Sequence, residues 1–356
     1  MNKQGFRYYN KKYDLPNQVS YCRSCVISNQ RPRITFNPDG VCSACQFSHK
    51  KNNEFDWDRR EKELQVLCDM HRRSDGSNDV IVPSSGGKDS AFVAHLLRHK
   101  YGMNPLTVTW APHKYTDIGF RNFENHIHLG DFDNLKVTPK GQLHRKMTRC
   151  ALDILGDPFL PFIFGQNNLP LRIAQKFGIQ LIFYGENSEV EYGGNMADAY
   201  VPTRDLKKKN VPILMSGIKP SDFTDYDISE SDLYWYSPPS PEELDSLNPQ
   251  IHYMSYYRKW VPQSNYYYCT EHTGFECNPE RSEGTYSKYA SLDDQLDGFH
   301  YYLMFIKFGI GRATSDAAHE VRDGHITREE AVALVKKYDG EFPSKYYQYF
   351  LDYCNI

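Results

Sequence analysis

The sequence predicts a mostly parallel α/β sheet with helices on both faces, a small zinc ribbon before it and a helical C-terminal part after it. Two CxxC pairs near the N-terminus predict the ribbon. A β-branched run, a Ser/Gly turn and a helical pattern within residues 79–100 predict the beginning of the sheet. Short apolar runs then alternate with helical patterns up to residue 184, which is typical of parallel strands joined by helices.

The composition argues against several classes of protein. A chain of 356 residues with a net charge of −3 is long enough for one or two domains and lacks the basic balance of a nucleic-acid binder. The basic run at residues 204–210 is interpreted as a solvated loop. No run approaches the roughly 18 apolar residues of a membrane span, and the first residues lack the apolar core of a signal peptide. We therefore expect a cytoplasmic protein.

The CxxC pairs have the spacing of a structural metal site. Cys22 and Cys25 form one pair, Cys42 and Cys45 form the other, and sixteen residues separate them. Two such turns complete a tetrahedron of thiolates around Zn²⁺ and leave no position open for a substrate. The other five cysteines are scattered, which does not fit a disulfide framework. The residues between the pairs predict a hairpin, and a redox role is the lesser alternative.

Three regions follow from these patterns. Residues 1–75 hold the ribbon (21–46) and a linking helix predicted over Trp57–His71, and the polar, turn-rich residues 72–79 mark a boundary. Residues 76–220 form the α/β core. Residues 221–356 hold a Tyr-rich insertion (232–268) and the helical C-terminal part, which complete the cleft.

The junction between the first strand and its helix has the residue types of a phosphate-binding loop. The strand is predicted over residues 79–82 and the helix over residues 91–100. Glycines allow backbone amides to surround an anion at a helix N-terminus, where the helix dipole is positive, and hydroxyls and a lysine add donors. The candidate nucleotide-binding residues of the loop are Ser84, Ser85, Gly86, Gly87, Lys88, Asp89 and Ser90.

Two later strands are expected to end beside this loop, because ligands of open α/β sheets lie beyond the carboxyl ends of the strands. One strand spans residues 105–110 and ends at Trp110. The other spans residues 179–184 and continues into GENSEVEYGG, which adds Gly185, Glu186 and Asn187 as candidate nucleotide-binding residues. Glu186 is a candidate magnesium ligand, whereas Glu189 and Glu191 remain open between a functional role and a solvated loop.

The run Ser85-Gly86-Gly87-Lys88-Asp89-Ser90 is similar to the PP-loop of the ATP-pyrophosphatase superfamily. This resemblance implies that ATP is cleaved between its α- and β-phosphates and that the loop holds the departing pyrophosphate. It also implies that Asp89 helps to bind Mg²⁺, with Lys88 and Asp89 acting in catalysis.

Three stretches together resemble the N-acetyl sugar amidotransferases of bacterial surface-polysaccharide biosynthesis. They are the ribbon, the segment YGENSEVEYGG and the run from Glu283 to Ala331. The resemblance implies a ligase-type enzyme of lipopolysaccharide O-antigen or nonulosonic acid biosynthesis. It would convert an acetamido group of a nucleotide-linked or related sugar into an acetamidino group. It also implies a separate glutaminase subunit, like that of histidine biosynthesis, which supplies ammonia.

The C-terminal run contributes two basic candidates. Lys288, in the turn-like GTYSK, is a candidate phosphate contact from the far side of the cleft, with a surface lysine as the alternative. Arg312 is a candidate phosphate clamp, with a structural ion pair as the alternative. A helix over residues 293–308 is expected to bury Leu296, Phe299, Leu303 and Ile306, and Thr327 begins a capping box.

Two other functions fit part of the pattern. PP-loop enzymes of tRNA thiolation also combine zinc ribbons with this loop, but they need further cysteines for sulfur handling and a basic RNA-binding face. A nucleotide-sensing or scaffold protein that kept the fold is disfavoured because Lys88 and Asp89 are both present.

Overall fold

The computed structural model describes residues 13–194, 196–206 and 217–356, and these residues contain one six-stranded sheet. The strand order is β3-β2-β1-β4-β6-β5. Every neighbouring pair is parallel except β5 with β6, which is antiparallel. The strands are β1 (Val80–Pro83), β2 (Pro105–Trp110), β3 (Asp133–Val137), β4 (Leu181–Tyr184), β5 (Thr203–Arg204) and β6 (Gln250–Tyr253).

Helices connect the strands and form the C-terminal part, and the described residues also include 3₁₀ helices at Met196–Tyr200, Pro220–Tyr226 and Glu230–Leu233. The α-helices are α1 (Ser43–Asn53), α2 (Trp57–His71), α3 (Lys88–His99), α4 (Asp117–His128), α5 (Gly141–Leu155), α6 (Leu160–Phe177), α7 (Ser188–Glu191), α8 (Pro241–Leu247), α9 (Met254–Tyr257), α10 (Pro262–His272), α11 (Asp297–Phe308), α12 (Arg312–Arg322), α13 (Arg328–Tyr338) and α14 (Tyr347–Cys354).

Helices cover both faces of the sheet, which confirms the predicted fold class. Successive side chains of β1 point to opposite faces of the sheet and therefore belong to different hydrophobic cores. Ile81 packs with α5, α6 and α14 on one face, whereas Val80 and Val82 pack with α2 and α3 on the other. The central strands are therefore apolar on both sides, which is why they read as continuous apolar runs in the sequence.

The predicted elements are present, with differences at their ends. Helix α2 and strand β2 have the predicted bounds. Helix α6 runs from Leu160 to Phe177 and includes Pro170 in its interior. Strand β6 comes from the Tyr-rich region and pairs with β4, so the sheet extends beyond the predicted boundary at residue 220. Residues 207–210 of the basic run lie outside the described residues.

One prediction about the C-terminal part is wrong. The helix predicted over residues 293–308 begins at Asp297, and Phe299 is buried in it. Ile306, however, is 55% exposed and Leu303 is only partly buried, because the apolar surface of α11 is wider than the core beneath it. The capping box is confirmed, since Thr327 accepts a hydrogen bond from the Glu330 amide and Glu330 accepts one from the Thr327 amide.

The four cysteines of the CxxC pairs converge in a buried cluster that can hold a metal ion. Cys22 Sγ lies 3.9 Å from Cys45 Sγ, Cys25 Sγ lies 3.8 Å from Cys42 Sγ, and all four sulfurs lie within 4.8 Å of one another. A tetrahedron with Zn–S bonds of about 2.3 Å has edges of about 3.8 Å, so the spacing fits Zn²⁺. The amides of Ser24, Cys25 and Cys42 point at Cys22 Sγ, which favours a thiolate there.

The cysteine cluster packs against the C-terminal helices. Phe308, Ile310 and Ala317 share its apolar core, and Arg328 Nε donates to the carbonyls of Cys22 and Cys25. The metal site therefore supports the contact between the two ends of the chain as well as the ribbon itself.

Replacing one cluster cysteine should loosen this contact. We expect Cys42→Ser to lose the bound metal and to lower the Tm by roughly 5–15 °C, because loss of a structural zinc site removes several kcal/mol. Metal analysis and thermal unfolding measure both effects. Cys277→Ser, outside the cluster, is the control. Equal metal content in the two variants would contradict the assignment.

Candidate active site

A large cleft lies at the carboxyl edge of the sheet, with a volume of about 1610 Å³. Its floor is the loop after β1 and the loop after β4, and α6 forms one side. The ribbon contributes Arg33, and the C-terminal part contributes Tyr289, Asp293 and Arg312. The cleft is thus bounded by three separate regions of the sequence.

The loop after β1 is shaped by one glycine in a conformation that other residues rarely adopt. Gly86 has φ +88°, and a Cβ at this position would lie 2.5 Å from the Phe123 Cα. Gly87 caps α3, which begins at Lys88, three residues before the predicted start. Ser84 Oγ lies 3.0 Å from both Ser90 Oγ and His126 Nε2. The amides at the start of α3 therefore face a cleft that can receive an anion.

Asp89 and Glu186 form an acidic pair beside this loop, as the parallel pairing of β1 and β4 requires. A Cβ at Gly185 would lie 3.6 Å from Asp89 Cβ and 2.8 Å from the Trp260 ring, so both neighbours approach the loop closely. Asp89 Oδ2 accepts from Lys88 Nζ at 2.5 Å, while the buried Oδ1 has no hydrogen-bond partner among the described residues. An oxygen of this kind suits a divalent cation.

The environment of Glu186 also favours a cation. Burial, and next the negative charge of Asp89, raise the pKa of Glu186 to about 7. Two carboxylates held close together share a proton or a metal ion. The pair can therefore bind Mg²⁺ next to the anion site, where the ion would neutralise phosphate charge.

The C-terminal part brings two functional groups to the other side of the cleft. Arg312 is the first residue of α12 and lines the cleft, and its guanidinium also pairs with Asp316 at 3.1 Å. Asp293 lines the cleft and is hydrogen-bonded to Ser85 of the phosphate loop. Burial, and next the charge of Asp297, raise the pKa of Asp293 to about 6. The sequence analysis did not identify Asp293, because SLDDQLD has no distinctive motif.

The other candidates are divided between the cleft and its surroundings. Trp110 lines the cleft, and its indole packs directly on Gly165, where an added Cβ would lie 2.1 Å from the ring. Asn187 also lines the cleft and caps α7. Lys288 lies elsewhere, because its ammonium donates to the Pro279 carbonyl at 2.8 Å and it is not among the residues that line the cleft.

The two remaining glutamates of GENSEVEYGG differ in position. Glu189 lines the cleft and pairs with Arg33 of the ribbon. Glu191 is buried away from it and lies 3.1 Å from Lys51 Nζ. Lys51 Nζ also lies 3.6 Å from a carboxylate oxygen of Asp323, which directly follows α12. These three buried charged residues join α1, α7 and the C-terminal part.

The structure thus defines an α/β protein with a glycine-containing loop at the start of α3, a cluster of four cysteines that can hold a metal ion, and a C-terminal part that lines one side of the cleft. Residues 283–356 match the family described as "LPS biosynthesis protein WbpG-like, C-terminal domain". The match confirms the predicted family resemblance for this C-terminal part of the chain. Arg312 and Asp293 both lie within this domain.

The chain is also similar to part of a glutamine-dependent NAD(+) synthetase from Rhodobacter capsulatus, with 28% identity over 158 residues. The alignment covers 41% of this chain but only 28% of that protein.

No helix among residues 13–194, 196–206 and 217–356 has the length and apolarity needed to cross a membrane.

Superpositions on solved structures are loose. An NMN synthetase from Francisella tularensis matches with a TM-score of 0.30 and 15% identity, covering 55% of this chain and 92% of that chain. An NH3-dependent NAD synthetase from Campylobacter jejuni matches with a TM-score of 0.26 and 13% identity, covering 55% of this chain and 93% of that chain. A predicted subunit of tRNA methyltransferase from Methanocaldococcus jannaschii matches with a TM-score of 0.28 and 12% identity, covering 67% of this chain and 91% of that chain.

The acidic pair makes stability depend on pH in a defined direction. The pKa of Glu186 is raised from its ordinary 4.5 to about 7, so the folded protein binds a proton more tightly than the unfolded chain. The stability contributed at this position therefore falls as the pH rises from 4.5 through 7. We expect Glu186→Gln to have a higher Tm than the wild type at pH ~8 and a similar Tm at pH ~4.5.

Mg²⁺ provides the second half of this test. It should raise the Tm of the wild type at pH ~8, because the cation relieves the repulsion between the two carboxylates, and it should not raise that of Glu186→Gln. Glu63→Gln, a substitution on the outer surface of α2, serves as the matched control. A Mg²⁺ response that is the same in all three proteins would contradict the site.

Proposed function

We propose that this protein is an ATP-dependent amidotransferase that converts the acetamido group of a nucleotide-linked or related sugar into an acetamidino group. The reaction belongs to the biosynthesis of a surface polysaccharide, either a lipopolysaccharide O-antigen or a nonulosonic acid. The observation that carries the proposal is the phosphate loop with its acidic pair, facing a WbpG-like C-terminal domain across one cleft.

The chemistry balances in two steps. The amide oxygen attacks the α-phosphorus of ATP, the bond to the bridging oxygen breaks, and pyrophosphate leaves. Ammonia then attacks the carbon of the adenylated imidate, the former amide oxygen leaves as part of AMP, and one proton of the attacking nitrogen is released. Adenylation is needed because an amide carbonyl is a weak electrophile and its oxygen is a poor leaving group.

Each group in the cleft has a role in this sequence. The amides at the start of α3, with Lys88 and the serines of the loop, bind the outer phosphates and stabilise the departing pyrophosphate. Asp89 and Glu186 would hold Mg²⁺, which neutralises phosphate charge when bound. Arg312 contacts the phosphates from the opposite side. Asp293 is the group that accepts the proton released from the attacking ammonia.

Ammonia is supplied by a separate glutaminase subunit in this proposal. Burial raises the pKa of the thiols of Cys68, Cys269 and Cys354 to about 12, which makes them poor nucleophiles. Four other cysteines form the metal cluster. The similarity to a protein described as glutamine-dependent supports glutamine as the original nitrogen source.

Isotope transfer tests the reaction itself. The protein is incubated with ATP, Mg²⁺, high ammonium and nucleotide-linked acetamido sugars whose amide oxygen is the heavy isotope. We expect equal amounts of AMP, pyrophosphate and modified sugar, with the heavy oxygen in AMP and with NH in place of O in the sugar. Formation of ADP, or of AMP only when tRNA is present, would overturn the proposal.

The role of Asp293 gives a separate prediction. Asp293→Asn should lower kcat by about 10²-fold, the usual effect of losing a general base, with little change in the KM for ATP. The wild-type rate should rise as the pH increases through about 6, the pKa of this carboxyl, and the residual rate of the variant should lack that step. Asp153→Asn, on the surface of α5, is the control. If Asp293→Asn keeps the same rise in rate near pH 6 as the wild type, Asp293 is not the group that accepts the proton.

A further inference from the structure

The cleft is larger than one substrate requires. Pockets for a single small ligand usually measure about 300–1,000 Å³, whereas this cleft measures about 1610 Å³. The phosphate loop occupies the end next to β1 and β4. The remaining space lies toward β6 and β5, and the inference drawn from it rests on the proposed function.

Arg204 stands at this second end of the cleft. It belongs to β5, which is three strand positions from β1, or about 14 Å at about 4.8 Å per strand. The side chain lines the cleft, and its Nη1 donates to Asn167 Oδ1 at 2.9 Å. Among the described residues Arg204 has no carboxylate partner, in contrast to Arg33 and Arg312, which are paired with Glu189 and Asp316.

Among the described residues, the hydrogen-bond partner that orients the Arg204 guanidinium is the neutral amide of Asn167. Asn167 is itself fixed, because its Nδ2 donates to the Ile163 carbonyl at 2.8 Å and leaves Oδ1 for the arginine. Tyr184 and Tyr253 also line the cleft here, with ring centroids 6.4 Å apart. A guanidinium has five N–H donors, and the neutral amide uses only one of them. Within the part of the chain that the structure describes, no acceptor is bonded to the other donors, so they can bind an anionic ligand.

We propose that Arg204, oriented by Asn167, binds the phosphate group of the acceptor and is the residue that selects a phosphorylated acetamido sugar over a free one. The acceptor lies along the cleft from β5 toward the phosphate loop, and its anionic end is held apart from the triphosphate of ATP. A free, uncharged acetamido sugar gains nothing from this contact.

Substitution of Arg204 tests the assignment through a split between the two substrates. Arg204→Gln should raise the KM for a sugar phosphate or sugar nucleotide by about 10–100-fold, the usual loss for hydrogen bonds to a charged group. The KM for ATP and the kcat at saturating acceptor should not change. Arg204→Lys should recover part of the loss, since it restores charge without the planar fork. Arg59→Gln, on the surface of α2, is the control.

Three acceptors separate the possible sources of the phosphate. They are N-acetylglucosamine, its 1-phosphate and UDP-N-acetylglucosamine. If Arg204→Gln raises the KM for both phosphorylated sugars, the result supports a contact between Arg204 and the sugar-linked phosphate. If it raises the KM for the sugar nucleotide alone, the result supports a contact between Arg204 and the second phosphate. An equal loss for the uncharged sugar, or an equal rise in the KM for ATP, would overturn the inference.

A binding measurement keeps this test independent of catalysis. Calorimetry with UDP-N-acetylglucosamine is performed while a non-hydrolysable ATP analogue fills the phosphate loop. We expect affinity to fall about 10–100-fold in Arg204→Gln, with the Tm unchanged. Unaltered affinity would refute the Arg204 subsite. Failure of the wild type to release AMP with any acceptor would refute the proposed function instead.

Discussion

Parallel pairing of β1 with β4 is the constraint on which the site depends. Because both strands point the same way, the loops that follow them emerge at one edge of the sheet. That geometry brings Asp89 and Glu186 together although they are far apart in the sequence. It also faces the amides at the start of α3 toward the same cleft. One pair of strands thus places the proposed anion-binding and cation-binding residues side by side.

The other walls of the cleft come from the N-terminal ribbon and the C-terminal part, which pack against each other. Arg328 donates to the carbonyls of Cys22 and Cys25, so the C-terminal domain rests on the backbone of the first cysteine pair. The same domain carries Arg312 and Asp293 to the cleft. A metal ion held by the four cysteines would therefore stabilise, from outside the cleft, the support for Arg312 and Asp293.

The sequence was informative where local chemistry determines structure. The SSGGKDS loop, the cysteine pairs and the Thr327 capping box are local patterns with few alternative structures, and the structure has them where expected. Contacts between distant segments were not visible. The pairing of β6 with β4 depends on tertiary packing of a Tyr-rich stretch without clear periodicity. Lys288 and Asp293 are close in sequence, yet only the fold determines which one lines the cleft.

The buried contact of Lys51 with Glu191 and Asp323 limits which regions of the chain can be exchanged independently. These side chains are at most 4% exposed, and removing one partner of a buried ion pair typically costs about 3–5 kcal/mol. Each belongs to a different region: the ribbon helix, the loop after β4 and the C-terminal domain. A foreign ribbon or C-terminal domain grafted onto this core would leave a charge stranded in the interior. The three regions are therefore not interchangeable as separate modules, because each supplies one member of this buried group of charges.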